Sequence, residues 1–256
     1  MNTLIYSTFY GHPHFSTLSI RNHLHYANLH HYSYIPHVGE NPFQRQFSWA
    51  KIYLGLQYLR SGLWDLIFWM DGDSWFLNNS ITLLDIIGNR PEAIHFSGDE
   101  NDIFNGGHFL LRNSPDAINF LEHVLDICET DDPRIVTTHR DSRHLFDQPA
   151  ILSLLGGADP HNKSTWADAF NSVNGYPGNP FRHHKAFLID YAPLTADSCE
   201  RAKSLICDRW RPFCNVLPQS TMNSYPPNIG MDDFIVHFVG NTKDYMHTMQ
   251  HLFEFG

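Results

Sequence analysis

The apolar and polar positions of the chain alternate between short apolar runs and longer stretches with helical spacing. Residues 3–9 form an apolar run rich in strand-forming residues, and Gly11 and Pro13 after it predict a loop. Residues 19–30 then have the spacing of a helix, and residues 31–37 form a second strand-like run. A strand, a helix and a strand in this order predict a parallel sheet whose ligands bind beyond the carboxyl ends of its strands.

A second helix and a fully apolar strand follow. Residues 47–61 have helical spacing, and Gly62 comes directly after them. The apolar side chains expected on one face of this helix are Trp49, Ile52, Leu56 and Leu59. Residues 63–70 are apolar on both alternating faces, as in an interior parallel strand. Asp71 and Asp73 come next, and so fall at the sheet edge where open α/β proteins keep their chemistry.

A polar corner precedes the next predicted strand. Asn105 is followed by Gly106 and Gly107, a combination that suits either an ordinary turn or close approach by a sugar. After the strand, Ser114 and Pro115 have the residue types of an N-cap and a first helical position.

Two later segments carry polar residues that each have a local explanation and a functional one. Asp147 and Gln148 precede a short apolar helix; from local sequence Asp147 is interpreted as an N-cap, with a functional carboxylate as the alternative. His237 lies within a predicted strand and is either a core histidine or a ligand. Gly240 and Lys243 follow that strand, where they could meet a phosphate.

Composition excludes some classes of protein. A chain of 256 residues with 42% hydrophobic content can bury the core of one large domain. Its formal charge of −10 argues against binding along nucleic-acid phosphates, so an anionic substrate needs a metal or a few placed cations. The 18 histidines are scattered and do not have the spacing of a zinc site.

Cysteine usage and hydropathy bear on the compartment. Cys199, Cys207 and Cys214 lie close together without forming a CxxC pair, which leaves a disulfide open, although we expect reduced structural thiols. No leader precedes the first strand, and no run approaches the roughly 18 apolar residues of a membrane span. We therefore expect a protein without a transmembrane segment that acts in the cytoplasm or peripherally at the cytosolic face of a membrane.

The sequence Asp71-Gly72-Asp73 has two interpretations. In isolation it is typical of a solvated turn, because aspartate and glycine are common turn residues. After a buried strand, two carboxylates one residue apart can bind one divalent cation, because Mg²⁺ and Mn²⁺ prefer oxygen ligands and also accept phosphate oxygens. The glycine would let the backbone approach closely and turn without a side-chain clash. We therefore predict a metal that holds a diphosphate.

The ordered motifs resemble a known family. The segments are residues 22–34, 48–59, 66–78, 104–126, 146–155 and 234–241. Together they resemble the family of galactomannan galactosyltransferases, xyloglucan xylosyltransferases and yeast α-1,6-mannosyltransferases, which are retaining glycosyltransferases with the GT-A fold. The resemblance covers most of residues 1–155 and then 232–243, and residues 156–231 match no family motif.

The resemblance implies a fold, a donor and a cofactor. It implies an α/β chain with a mostly parallel central sheet flanked by helices, and a single GT-A domain over residues 1–256. Residues 1–100 would form the nucleotide-binding half and residues 101–256 the acceptor-binding half. The implied partners are a UDP- or GDP-sugar donor and a glycan acceptor, with no nucleic acid. The implied ligands of a Mn²⁺ ion, or of Mg²⁺, are Asp71, Asp73 and His237.

The resemblance also implies roles for individual residues. The residues implied to contact the donor are Ser7, Thr8 and Tyr10 at the nucleoside, Lys51, Asp71, Gly240 and Lys243 at the sugar or diphosphate, and Asn105, Gly106 and Gly107 at the sugar. Asp147 and Gln148 are the implied catalytic residues beside the anomeric carbon, where they would stabilise an oxocarbenium-like transition state. We expect same-face substitution, with Asp147 as nucleophile in the alternative. In this family an acidic pair usually precedes the glutamine, whereas this chain has Phe146 and Asp147.

The sequence leaves open both where an acceptor binds and which reaction is catalysed. Trp166, Tyr176 and Phe181 either stack on acceptor sugars or pack a long connection. A haloacid-dehalogenase-type phosphatase also places two aspartates after an apolar strand, but expects threonine or valine where this chain has Trp75. A sugar-nucleotide-binding module without catalysis is the third alternative.

Overall fold

The structure is a computed structural model in which part of the chain is described. The described residues are 1–10, 13–43, 45, 47–98, 104–127, 147–173, 196–226, 229–230, 232–243, 245–246 and 248–249. The strands are β1 (Thr3–Thr8), β2 (Ser33–His37), β3 (Leu66–Met70), β4 (Ser74–Phe76), β5 (Ile94–Ser97), β6 (His108–Arg112), β7 (Cys214–Leu217) and β8 (Ile235–His237). The α-helices are α1 (Pro13–Leu29), α2 (Ala50–Arg60), α3 (Leu83–Ile87), α4 (Pro115–Asp126), α5 (Asp147–Leu155), α6 (Trp166–Val173), α7 (Ala196–Leu205) and α8 (Gln219–Met222).

Six strands form the main sheet in the order β2-β1-β3-β6-β5-β7. Strands β2, β1 and β3 are parallel to one another, and β5 is parallel to β7. Strand β6 runs antiparallel to both of its neighbours, β3 and β5. The predicted α/β class with a mostly parallel sheet is therefore confirmed, and β6 is the exception to the parallel arrangement.

Alternate side chains of the central strand enter two different apolar layers. In β3, Ile67 and Trp69 join a cluster with residues of α2, α4 and α5, whereas Leu66, Phe68 and Met70 join one with residues of α1 and α3. Every residue of β3 is buried, which explains why its sequence is apolar on both faces. The sheet is thus covered by helices on both sides.

A second, two-stranded sheet lies beside the main one. Strand β4 follows the Asp-Gly-Asp turn directly and pairs antiparallel with β8, so that Ser74 lies opposite His237. The sequence predicted a strand around His237 but not its partner. This pairing brings the carboxyl-terminal part of the chain to the end of β3.

Several local predictions can be compared with the structure. The Ser114 side chain caps α4, with Pro115 at its first position, as predicted. Pro13 was predicted to lie in a loop but is the first residue of α1, a position that needs no backbone N–H. Cys199, Cys207 and Cys214 are free, which agrees with reduced thiols.

The predicted acceptor aromatics are only partly described. Trp166 is buried, and its indole N–H donates to the Asp159 carbonyl oxygen at 2.8 Å, so this ring packs the core and does not stack on a sugar. Tyr176 and Phe181 lie outside the described residues. Across the helices that the structure describes, none is long and apolar enough to cross a membrane.

The buried His23 of α1 makes folding sensitive to acid. Its Nε2–H donates to the Ser74 carbonyl oxygen at 2.7 Å, and Nδ1 lies 3.2 Å from the Ser7 hydroxyl. Burial lowers the pKa of His23 from 6.5 to about 4, despite the opposing hydrogen bond to Ser74. The unfolded chain therefore binds a proton that the folded chain excludes as the pH falls from 6.5 to 4.

We expect His23→Gln to flatten the acid limb of the stability profile. Above pH 6.5 the contribution of His23 to the free energy of unfolding is fully present. Between pH 6.5 and 4 this contribution is lost at up to about 1.4 kcal/mol per pH unit. Urea unfolding at a series of pH values measures this slope. His25→Gln, at an exposed position on the same helix, is the matched control. Identical slopes in the wild-type protein and His23→Gln would contradict the prediction.

Candidate functional site

Two carboxylates and an imidazole converge at the carboxyl end of β3. Asp71, Asp73 and His237 each offer one ligand atom, and these atoms all lie within 4.8 Å of one another. His237 Nε2 lies 3.7 Å from Asp71 Oδ2 and 3.4 Å from Asp73 Oδ1. Oxygen and imidazole nitrogen donors suit Mn²⁺, so the donor atoms fit the metal that the sequence predicted.

The glycine between the two aspartates lies against the end of β1. A β-carbon at Gly72 would lie 2.9 Å from the Phe9 ring and 2.9 Å from the Thr8 carbonyl oxygen. Because backbone cannot yield as a flexible side chain can, any larger residue would push the turn away from β1. The glycine therefore avoids a side-chain clash here, as the sequence predicted, and the structure adds that the clash would be with the end of β1.

Charged neighbours set the ionisation of the two aspartates. Burial would raise the pKa of Asp73, but His237 and Lys243 hold it well below its usual range. The Lys243 ammonium lies 2.9 Å from Asp73 Oδ2. Burial raises the pKa of Asp71, opposed by Lys51 and reinforced by the charge of Asp73. The turn thus keeps one strongly acidic carboxylate beside one that is harder to ionise.

The Lys51 ammonium contacts three groups of the protein itself. Its ammonium donates to the Gly106 carbonyl oxygen at 2.7 Å and lies 3.0 Å from Asp147 Oδ2 and 3.4 Å from Asp71 Oδ1. The side chain is 7% exposed. Burial alone would lower the pKa of Lys51, but the charges of Asp147 and Asp71 outweigh it and the pKa is raised. Its three N–H groups are thereby engaged, and Lys51 bridges a metal-site carboxylate to Asp147.

Asp147 and Gln148 face the polar corner that precedes β6. Asp147 is the first residue of α5 and is buried, and its carboxylate pairs with Lys51, so the local N-cap interpretation does not describe it. Gln148 Oε1 accepts a hydrogen bond from the Gly106 backbone N–H at 3.0 Å. A β-carbon at Gly106 would lie 3.2 Å from Asp147 Oδ2. The two implied catalytic residues therefore adjoin the residues predicted to border the sugar.

The other glycine of the corner contacts the metal group directly. A β-carbon at Gly107 would lie 2.6 Å from His237 Cε1. The Gly107 N–H donates to Asn105 Oδ1 at 2.7 Å, and its carbonyl oxygen accepts from the Asp71 N–H at 2.9 Å. Only a residue without a side chain fits between the His237 ring and the end of β3.

The residues implied at the nucleoside lie at the end of β1. Thr8 is half-buried and Tyr10 is buried, and burial raises the pKa of Tyr10. The Ser7 side chain is fully buried, and its hydroxyl contacts His23 of α1. It therefore lies on the side of the strand that α1 covers. Gly240 has a positive φ of 55°, in the left-handed region that favours glycine.

The structure also brings in residues that the sequence did not indicate. The Trp69 indole N–H donates to Asp71 Oδ1 at 3.0 Å. His237 Nδ1 lies 2.8 Å from Asn223 Oδ1, and the Asn223 amide lies 2.8 Å from the Tyr225 hydroxyl. Trp69 was recognised only as part of an apolar strand. Asn223 and Tyr225 lie in the segment without a family motif, so no sequence signal marked them.

The fold is shared with a solved structure. A glycosyltransferase involved in the glycosylation of the major capsid of PBCV-1 is similar over 97% of this chain and 100% of its own, with a TM-score of 0.58 and 13% identity. A mutant of Drosophila β1,4-galactosyltransferase 7, in complex with manganese, UDP-Gal and xylobiose, has 10% identity and a TM-score of 0.44 over 94% of this chain and 72% of its own.

The chain has the GT-A fold, with its mostly parallel central sheet flanked by helices. This confirms the predicted fold class. The sequence matches no protein-family model and no curated protein. Membership of the family of galactosyl-, xylosyl- and mannosyltransferases therefore stays a prediction.

We expect Lys51→Met to destabilise the protein by about 3 kcal/mol or more, because it leaves two partly or fully buried carboxylates without their cation. The free energy of unfolding, measured by urea denaturation at pH 8, tests this. Arg60→Met on the same helix removes an exposed ion pair with Glu122, and should cost at most about 1 kcal/mol. If Lys51→Met were as stable as Arg60→Met, the bridging role of Lys51 would be wrong.

Proposed function

We propose that the protein is a metal-dependent glycosyltransferase that moves a sugar from a nucleotide-diphosphate donor to a glycan or another hydroxyl acceptor. The observation that carries the proposal is the convergence of Asp71, Asp73 and His237 at the carboxyl end of β3. The GT-A fold, shared with the PBCV-1 glycosyltransferase, supports it. In open α/β proteins that edge is the ligand-binding edge.

The metal and the nearby lysine act on the leaving group. Asp71, Asp73 and His237 would hold a divalent cation, which would supply positive charge to the departing nucleoside diphosphate. Lys243 contacts Asp73, and its side chain is 38% exposed. Its ammonium is therefore positioned to add a charge-assisted hydrogen bond to a diphosphate oxygen. Gly240, three residues earlier, has a positive φ and begins the short helical turn that ends at Lys243.

The polar corner accommodates the sugar. Gly106 and Gly107 let Asp147 and His237 lie directly against the corner, so that these side chains would border the sugar there. Asp147 is fixed by Lys51 next to Gly106, and we assign it the electrostatic stabilisation of an oxocarbenium-like transition state. Because its carboxylate is already paired, same-face substitution with retention is favoured over attack by Asp147.

The two halves of the chain divide the ligands in this proposal. Residues 1–100 supply the nucleoside-proximal end of β1, including Thr8 and Tyr10, and the aspartate turn. Residues 101–256 supply the sugar-bordering corner, Asp147 and the acceptor surface. We treat the chain as one GT-A domain, because strands from both halves pair in one sheet. The bound Mn²⁺, or Mg²⁺, would lie where the halves meet.

The test is nucleoside diphosphate release from a panel of UDP- and GDP-sugars with Mn²⁺. We expect release from one donor, at least 100-fold weaker after EDTA treatment or in Asp73→Ala, because the charge on the leaving group then lacks its counter-charge. Asp65→Ala, outside the site, is the control. Release unchanged in Asp73→Ala would contradict the metal assignment. Phosphate release from phosphomonoesters would favour the phosphatase, and donor binding without turnover would favour a binding module.

We expect His237→Ala to weaken Mn²⁺ and donor binding together, because it removes one of three protein ligands. His237→Asp should recover part of the Mn²⁺ affinity, since a carboxylate replaces the imidazole. Isothermal titration with Mn²⁺, before and after adding the nucleoside diphosphate, measures both effects. His25→Ala is the matched control. Mn²⁺ affinity unchanged in His237→Ala would reduce the ligand set to the two aspartates.

A further inference from the structure

We propose that Asn223 is a positioning residue that fixes the tautomer of His237, so that Nε2 is the nitrogen presented to the metal. The inference rests on the metal site of the proposed function and goes beyond it. Asn223 is fully buried, and its side chain lies on the far side of the His237 ring from the two aspartates. It contacts the metal ligand without belonging to the ligand set.

The amide orientation of Asn223 follows from its other partner. Asn223 Nδ2 lies 3.4 Å from the Gly98 carbonyl oxygen, which can only accept a hydrogen bond. The amide nitrogen must therefore face Gly98, and Oδ1 must face His237. Since Oδ1 is also only an acceptor, the hydrogen of a neutral His237 ring lies on Nδ1. The lone pair is then on Nε2, the atom that faces Asp71 and Asp73.

The backbone around Asn223 holds this geometry. Its N–H donates to the Gln219 carbonyl oxygen at 2.7 Å at the end of α8. The next residue, Ser224, accepts from the His237 N–H at 2.8 Å and donates to the Ile235 carbonyl oxygen at 3.2 Å. The segment therefore runs alongside β8, so that the amide and the imidazole are fixed by backbone pairing as well as by their own contact.

Hydrogen bonds connect the Asn223 amide to the corner that is proposed to border the sugar. The Tyr225 hydroxyl accepts from Asn223 Nδ2 at 2.8 Å and from Asn105 Nδ2 at 2.9 Å. All three side chains are buried. Buried amides with several partners seldom rotate, because each lost hydrogen bond leaves an unsatisfied group. Tyr225 thus resists rotation of the Asn223 amide.

Asn105 closes the path to the other side of the metal site. Its Oδ1 accepts from the Gly107 N–H, and the Gly107 carbonyl oxygen accepts from the Asp71 N–H. Hydrogen bonds therefore link the imidazole ligand to the backbone of an aspartate ligand. Residues that hydrogen-bond to metal ligands orient those ligands and fix imidazole tautomers. Their loss typically lowers metal affinity about 10- to 100-fold.

The tautomer can be read directly in the metal-free protein. A long-range ¹H–¹⁵N correlation spectrum at pH 8 distinguishes Nδ1–H from Nε2–H, and the His237 signals are assigned by their absence from His237→Gln. We expect Nδ1–H in the wild-type protein. A wild-type ring that carries a proton on Nε2 and none on Nδ1 would overturn the proposal, whatever the outcome of any sugar-transfer assay.

Variants of Asn223 test whether the amide is the cause. We expect Asn223→Leu to lose the Nδ1–H preference and to bind Mn²⁺ about 10- to 100-fold more weakly by isothermal titration. Asn223→Asp keeps an acceptor for Nδ1–H, and should bind Mn²⁺ at least about 10-fold more tightly than Asn223→Leu. Gln219→Leu, which removes a buried amide one turn earlier, should leave both readouts unchanged.

The outcomes separate this inference from the proposed function. If Asn223→Leu keeps the tautomer and the Mn²⁺ affinity, the positioning role is wrong even where sugar transfer is found. If Gln219→Leu lowers Mn²⁺ affinity as much as Asn223→Leu, the effect is general loosening and the proposal also fails. If the tautomer and the Mn²⁺ affinities behave as expected but no nucleotide sugar turns over, only the transferase function is overturned.

Discussion

Compensation of negative charge at the end of β3 is the constraint on which the site depends. Three carboxylates, those of Asp71, Asp73 and Asp147, lie close together with little exposure. Such a group is stable only with cations in contact. Lys51 and Lys243 supply two ammoniums, one from a helix before the strand and one from the chain after β8. The helices and loops around the sheet edge are arranged so that these lysines reach the carboxylates.

The pairing of β4 with β8 is the second requirement. A ligand from the carboxyl-terminal part of the chain has to reach a turn formed much earlier in the sequence. Strand β4 extends straight from that turn, and its antiparallel partner carries His237 opposite Ser74. Backbone hydrogen bonds therefore determine where the imidazole lies. The space left at Gly107 and the Asn223 side chain then determine how its ring is oriented.

The sequence predicted the strand ends better than the contacts between them. An apolar strand followed by Asp-Gly-Asp is a local pattern, so the place of Asp71 and Asp73 at the edge of the sheet was predictable, as was the α/β class. The direction of β6 was not, because antiparallel and parallel strands in a buried sheet are both apolar. Lys51 was expected at the donor, and its engagement by Asp147 depends on a helix whose packing has no local signature. Asn223 was missed for the same reason.

The two lysines of the site have a consequence for how the protein folds. In small zinc-bound domains the ion supplies the free energy of folding, and chelators unfold the chain. Here Lys51 and Lys243 already neutralise the carboxylates that would otherwise repel one another, and large apolar layers cover both faces of the sheet. The chain can therefore fold without a cation, and the ion of the proposed function would be an exchangeable partner and not a requirement for folding.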